Sequence, residues 1–255
     1  MGYPLGEGVK ILLIAMGGIF GLEWILNADW SMFGIVPALV LRGHVYQLVT
    51  YMFLHGGFMH LLLNAMGLFF FGPTLEMRWG TGKFLLFFFA SGIVGGLTAT
   101  LLSPDSLVPI IGASGSIYGI LAANAILYPD AIVYLYMIIP VKAKWLVIGL
   151  AAMEFLGLWR GGGNTSHEAH LGGLFAGTIF VLATERYFGY RIKQWFRKRS
   201  YEREAAQRER EWERTNALRS EVDELLDKIN REGKDALSPS ERKRLDDASR
   251  KLRGE

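Results

Sequence analysis

Charge is so unevenly distributed along this chain that its first 190 residues are too apolar for an ordinary soluble protein. Of 51 charged residues, 34 lie between Arg191 and Glu255, leaving 17 for everything before them. Half of all residues are apolar, and Phe alone contributes 16. The chain therefore divides into a lipid-soluble body, residues 1–190, and a charged, water-soluble tail, residues 191–255. A membrane span needs about 20 apolar residues. Six stretches qualify as candidates: 9–28, 58–77, 83–103, 113–128, 145–159 and 168–188. The fourth and fifth are short, so their ends are expected inside protein, where irregular backbone is tolerated at depth. Residues 131–141 are apolar but too few to cross, and are expected as an interfacial connection. The expected fold class is an all-α membrane protein, a bundle of six transmembrane helices carrying a helical tail.

Lys and Arg in the short loops set the orientation. Arg78 and Lys83 join spans two and three, and Lys142 and Lys144 join spans four and five. The tail opens with Arg186, Arg191, Lys193, Arg197, Lys198 and Arg199. Six spans place all of these on one side and leave only Arg42 and Arg160 opposite. Both termini are then cytoplasmic, and the loop over residues 29–57 is outside. That loop carries Trp30, Phe33, Val45, Tyr46, Tyr51 and Phe53, so it is expected to lie among headgroups. The first apolar run lacks a charged leader and a cleavage site, and is read as a retained span.

Net charge is only +3, and the positive residues cluster where the tail leaves the body, so no nucleic-acid partner is indicated. The absence of cysteine excludes disulfides, thiolate metal sites and cysteine nucleophiles. In the tail, Leu218, Val222, Leu225, Leu226 and Ile229 recur at helical spacing. Gly233 ends that helix. Ser238-Pro239-Ser240-Glu241 then reads as a capping box with proline in the first turn. Leu237, Leu245 and Leu252 can pack back, giving a helical hairpin over about 218–253, solvated or bound to a partner.

Polar groups inside spans are costly and mark functional sites. Ser114, in Gly112-Ala113-Ser114-Gly115, opens the short fourth span. Backbone N–H groups are unpaired there, and the helix dipole favours developing negative charge. His170, in Ala169-His170-Leu171-Gly172-Gly173, begins the sixth span on the same side of the membrane. Ala169, Gly173 and Gly177 repeat every fourth residue and face a partner with Gly112, Gly115 and Gly119. Small residues allow close helix approach, which brings His170 toward Ser114. A hydroxyl beside an imidazole is a nucleophile with its base. Tyr118, one turn after Ser114, can stack on the imidazole. His60 and Asn64 share one face of span two and can supply donors for the oxyanion of an acyl-transfer intermediate.

Read alone, each of these residues also has a structural role open to it: close packing for Ser114, His170 and Tyr118, helix–helix hydrogen bonding for His60 and Asn64. Glu168, two residues from His170, faces elsewhere on the helix. Glu154 is expensive inside the fifth span and is read as a structural acceptor or gate element, so a dyad is expected, not a triad. His167-Glu168-Ala169-His170 is one residue short of the zinc signature H-E-x-x-H, which makes a zinc hydrolase the weaker reading. A transporter would want internal repeats, and none is evident.

The order and spacing of these residues resemble the rhomboid family of intramembrane serine proteases. The match runs over roughly residues 40–185. It takes in His55, His60 and Asn64, then Leu75-Glu76-Met77-Arg78-Trp79-Gly80. Gly112-Ala113-Ser114-Gly115 with Tyr118-Gly119 follows, and Ala169-His170-Leu171-Gly172-Gly173 with Gly177 closes it. The resemblance implies Ser114 as nucleophile and His170 as base. It implies His60, Asn64 and the Ser114 amide as oxyanion donors, and Tyr118 as the ring on His170. Gly112, Gly115 and Gly173 would be supporting residues. It further implies a six-helix core open to the extracytoplasmic side that cleaves peptide bonds in or near transmembrane helices of membrane-protein substrates, without a cofactor. A non-catalytic relative would have lost the nucleophile or base, and this chain retains both. Tyr46-Gln47 stands where the family often has Trp-Arg, so loop anchoring is expected to differ. His167 resembles a common family variant. The tail resembles a small module behind some bacterial rhomboid cores, and the expected location is a bacterial inner membrane. The glycines at 161–163 are expected to line a wet cavity, and the fifth span with residues 159–167 is the candidate gate.

Overall fold

The computed structural model describes residues 5–27, 29–135, 138–160, 166–233 and 237–253. The expected gate loop and cavity glycines at 161–165 lie outside the described residues. The chain divides into two compact units, Met1–Glu185 and Arg186–Glu255.

In the first unit, apolar helices form at each of the six expected stretches: α1 (Glu7–Leu26), α4 (Phe58–Trp79), α5 (Thr81–Leu102), α6 (Ser114–Leu127), α7 (Ala143–Arg160) and α8 (His167–Thr184). Short helices α2 (Pro37–Val40) and α3 (Gln47–Thr50) lie between α1 and α4. Of the described helices, α1, α4 and α5 are long and apolar enough to cross a membrane, and α6 is a shorter apolar helix. At about 1.5 Å per residue, the 14 residues of α6 fall well short of a bilayer core of about 30 Å. Helix α7 is diluted by Lys144, Glu154 and Arg160, and α8 by His167, Glu168 and His170. Three of these six groups, Glu154, His167 and His170, gather at the candidate site.

Glycine decides how α5, α6 and α8 meet. A Cβ at Gly173 would lie 1.9 Å from the Gly115 carbonyl oxygen, and one at Gly177 2.4 Å from that of Gly119. From α5, a Cβ at Gly95 would sit 2.6 Å from the Ala169 carbonyl oxygen of α8. Backbones therefore touch where side chains would otherwise separate them.

The Glu76 carboxylate, only 4% exposed, fastens the start of α1. It accepts the N–H groups of Gly8 (2.7 Å) and Val9 (2.9 Å) and the Thr81 hydroxyl (2.7 Å). An anion at the positive end of the helix satisfies donors that α1 cannot satisfy itself. At the end of α4, Arg78 grips Glu185 through Nε (3.0 Å) and a terminal nitrogen (2.8 Å), and the Trp79 indole donates to the same carboxylate (2.9 Å).

The segment before α4 is fastened by backbone and amide groups. Gln47, fully buried, accepts the Val36 N–H (3.0 Å) and donates to the Met32 carbonyl (3.0 Å). The Tyr46 hydroxyl donates to the same carbonyl at 3.3 Å. Tyr46-Gln47 thus does anchor this loop, by its own set of bonds. The Tyr51 hydroxyl reaches the Gly92 carbonyl of α5 (2.7 Å), and Ile35 pairs with Ile110.

The chain is not wholly α-helical. The connection at 131–141 forms a two-stranded antiparallel hairpin, β1 (Ile132–Leu135) with β2 (Ile139–Lys142), pairing Ile132 with Lys142 and Leu135 with Ile139. Branched Ile and Val suit an extended backbone, while Pro140 argues against a helix. Asp130 beside it receives Lys142 (3.1 Å) and Lys144 (2.8 Å).

In the second unit α9 (Arg186–Glu232) runs well upstream of the expected stripe, ends before Gly233 at φ +91, and packs with α10 (Pro239–Arg253) through buried Leu225, Leu237 and Ala248. Leu226 of the expected stripe is exposed. The capping box closes both ways: Ser238 N–H donates to Glu241 (2.8 Å) and Glu241 N–H to the Ser238 hydroxyl (3.3 Å). Lys228 (2.8 Å) and then Ser238 hold the Glu241 carboxyl down to about 2.

Candidate active site

Helix α6 begins at Ser114, so this serine occupies the first helical position and its own N–H has no partner within the helix. Gly112, at φ +117, makes the turn into it, in a region that side chains rarely adopt. Its N–H donates to the Tyr51 carbonyl (2.9 Å), which pins the turn to the loop before α4. Helix α8 is capped by Ser166, whose hydroxyl accepts the Ala169 N–H at 3.4 Å. His170 sits in its first turn and is 8% exposed.

The glycine contacts between α6 and α8 bring the two side chains together. His170 Nε2 is 2.6 Å from the Ser114 hydroxyl oxygen. The Tyr118 ring stacks on the imidazole with centroids 4.3 Å apart and planes 8° apart. Gly115 and Gly173 form the backbone contact beneath this pair.

His60 and Asn64 reach the same end of α6 from α4. A Cβ at Gly112 would lie 2.6 Å from His60 Nε2 and 3.9 Å from Asn64 Nδ2. Both residues thus border the turn two positions before Ser114. Asn64, buried, donates one amide N–H to the His60 carbonyl at 2.9 Å. An amide nitrogen carries two such donors. His55 rests edge-on against His60, with ring centroids 5.1 Å apart.

The sequence reading left one group outside the site. Glu154 of α7 is 7% exposed, and its carboxylate meets three side chains. It accepts the Tyr118 hydroxyl through Oε1. It takes His167 Nδ1 through Oε2 at 2.5 Å. His170 Nδ1 lies 3.0 Å from Oε1 but is not aligned for a hydrogen bond. A carboxylate in the middle of an apolar helix was the available signal. What it meets depends on how α7 folds back against α6 and α8, and spacing along the chain does not encode that. Glu168, expected to face away from His170, receives the Ser166 hydroxyl at 3.4 Å.

Chemically, this is a hydroxyl against an imidazole nitrogen, a free N–H at a helix start, and amide and imidazole donors beside it. Such a set suits acyl transfer.

A family model for the rhomboid domain matches residues 42–187, and one for a family of unknown function, DUF6576, matches residues 201–251. The chain is similar to RHOMBOID-like protein 12, mitochondrial, of Arabidopsis thaliana, at 32% identity over 66% of this chain and 55% of the relative. It is similar to Rhomboid protease GluP of Bacillus subtilis, at 32% identity over 57% of this chain and 27% of the relative. It is 35% identical to Rhomboid-like protease 5 of Toxoplasma gondii, over 56% of this chain and 17% of that protein. The chain spans about half or less of the length of these relatives.

Proposed function

The chain belongs to the rhomboid family, and on that premise we propose that it is an intramembrane serine endopeptidase using Ser114 and His170. The observation that carries this reading is the 2.6 Å approach of His170 Nε2 to the Ser114 hydroxyl. The Ser114 O–H donates to Nε2. As its oxygen attacks a substrate carbonyl, the proton passes to His170. The resulting oxyanion is met by the Ser114 N–H, Asn64 and His60. His170 then protonates the leaving amine, and water, activated by the same imidazole, releases the acyl group. Tyr118 holds the imidazole plane. No step calls for a cofactor.

The substrates on this reading are membrane proteins cut in or near a transmembrane helix. A segment with weak helical propensity is preferred, because an intact helix keeps its carbonyls in the i to i+4 ladder. The core is a six-span bundle with both termini in the cytoplasm of a bacterial cell and the site sunk below the outer face. Residues 1–190 form the protease core and 191–255 an appended charged tail. Helix α7 serves as the gate. In support, it buries only Ala143 and Glu154, while Trp145, Ile148, Met153, Phe155 and Trp159 are exposed.

A fluorophosphonate probe tests the core of this reading on the full chain in lipid. The wild type should be labelled, and Ser114→Ala and His170→Asn should not. Equal labelling of Ser114→Ala and the wild type would overturn it.

A further inference from the structure

We infer that Glu154 is a positioning residue for His170, so that the site works as a Ser–His–Glu relay whose carboxylate is itself clamped by His167. The inference rests on the protease reading above and deepens it.

The argument starts from the tautomer. For Nε2 to accept the Ser114 proton, the other imidazole nitrogen, Nδ1, must carry the hydrogen. That Nδ1 is buried and makes no hydrogen bond, which is costly for a donor. Glu154 Oε1, 3.0 Å away, is the carboxylate oxygen within reach, and a small rotation aligns it. Once aligned, the carboxylate fixes the productive tautomer and stabilises the imidazolium formed during attack.

The carboxylate is held in place for this. The Tyr118 hydroxyl binds Oε1, and the ring of the same tyrosine stacks on His170. His167 Nδ1 binds Oε2 at 2.5 Å, one helical turn before His170. Gly157, one turn after Glu154, leaves the space that the His167 ring fills, since a Cβ there would lie 2.4 Å from His167 Cε1. Helix α7 buries one polar side chain, and it is this one.

The titratable groups around His170 are few. Helix α6 brings Tyr118, with the hydroxyl of Ser114, and α7 brings Glu154. Helix α8 itself contributes His167, and His60 of α4 borders the same turn. The charged residue of α5, Lys83, lies over the Trp79 and Phe180 rings.

The test follows the rate of fluorophosphonate labelling of the full chain in liposomes from pH 5 to 9. Glu154→Gln keeps the shape but removes the charge, and its amide can donate to Nδ1 and favour the wrong tautomer. Its plateau rate should fall about 10²-fold or more. Its half-maximal pH should move lower by about one unit, because less charge stabilises the protonated imidazole. His167→Phe keeps a ring over Gly157 but takes a donor from the carboxylate. Its half-maximal pH should move the other way, upward. A purely structural latch would lower the amount of folded protein without moving the two midpoints in opposite directions. A wild-type plateau and midpoint in Glu154→Gln would overturn the inference. Should that variant not fold, an unmoved midpoint in His167→Phe would overturn it alone. Labelling that survives Ser114→Ala would instead sink the protease reading beneath it. Ser114-dependent labelling with unmoved profiles sinks the role of Glu154 only.

Discussion

Asn64 gives one amide N–H to the carbonyl of His60, 2.9 Å away, and has a second to offer. At the scale of single residues the site divides its polar groups between internal partners and donors left to present. His170 turns Nε2 to Ser114 and Nδ1 toward Glu154, and the Ser114 N–H stands at a helix start with no internal acceptor. If Asn64 donates to the oxyanion, its contribution exists only when the oxygen is charged. Asn64→Ala should then lower kcat about 10²–10³-fold, the equivalent of ~3–4 kcal/mol, with KM nearly unchanged. Steady-state cleavage of a fluorogenic transmembrane peptide measures both constants. A rise in KM at constant kcat would move Asn64 from the reaction to substrate binding.

Among elements, the contact of α6 with α8 does most to build the site. Gly115 and Gly173 let two backbones touch, and that closeness sets the distance between Ser114 and His170. Inside an ordinary helix, Gly→Ala is favourable by up to about 1 kcal/mol. Gly173→Ala should do the reverse, because its Cβ would fall 1.9 Å from the Gly115 carbonyl oxygen and neither backbone can give way cheaply. A cost of about 1–3 kcal/mol or more is expected, together with loss of probe labelling as the pair separates. Gly149→Ala on α7 is the control, since nothing lies within 4 Å of a Cβ there. Thermal denaturation in detergent should show a lower Tm for the first and none for the second. A Tm unchanged in both would mean that α8 slides without cost. The same elements show how far sequence carries. The small-residue repeat on α8 was readable as a contact with α6, and Gly173 on Gly115 and Gly177 on Gly119 are its registers. That α8 also presses Gly172 on Thr98 of α5 was not readable, because α5 is rich in small residues along much of its length.

The whole molecule is divided by charge. A body with 17 charges in 190 residues precedes a tail with 34 in 65, and the family match over 42–187 lies within the first of these. The proposed orientation follows from where Lys and Arg collect, and the absence of cysteine makes it directly measurable. Leu107→Cys, 71% exposed between α5 and α6, should react with a membrane-impermeant maleimide on intact cells. Ala217→Cys in α9 should react only after permeabilisation. The opposite pattern would invert the topology, and reaction of both on intact cells would contradict the six-span count.

The sequence by itself determined the division of charge between body and tail, the position of the apolar helices, the capping box of the tail, the serine, histidine and tyrosine that meet in space and the asparagine that borders the same turn. These are local or periodic properties: hydropathy over a helix length, spacing along one face, a residue too polar for its surroundings. Tertiary structure alone decided what the polar groups touch. Glu154 was visible only as a carboxylate misplaced in an apolar stretch, and becomes intelligible once α7 lies against α6 and α8 and its oxygens meet Tyr118, His167 and His170. The hairpin at 132–142 and the seating of Gln47 under Met32 and Val36 belong to the same class. In each case the partner comes from another element, and the pairing depends on how helices approach, which glycine contacts set in three dimensions and no period along the chain records.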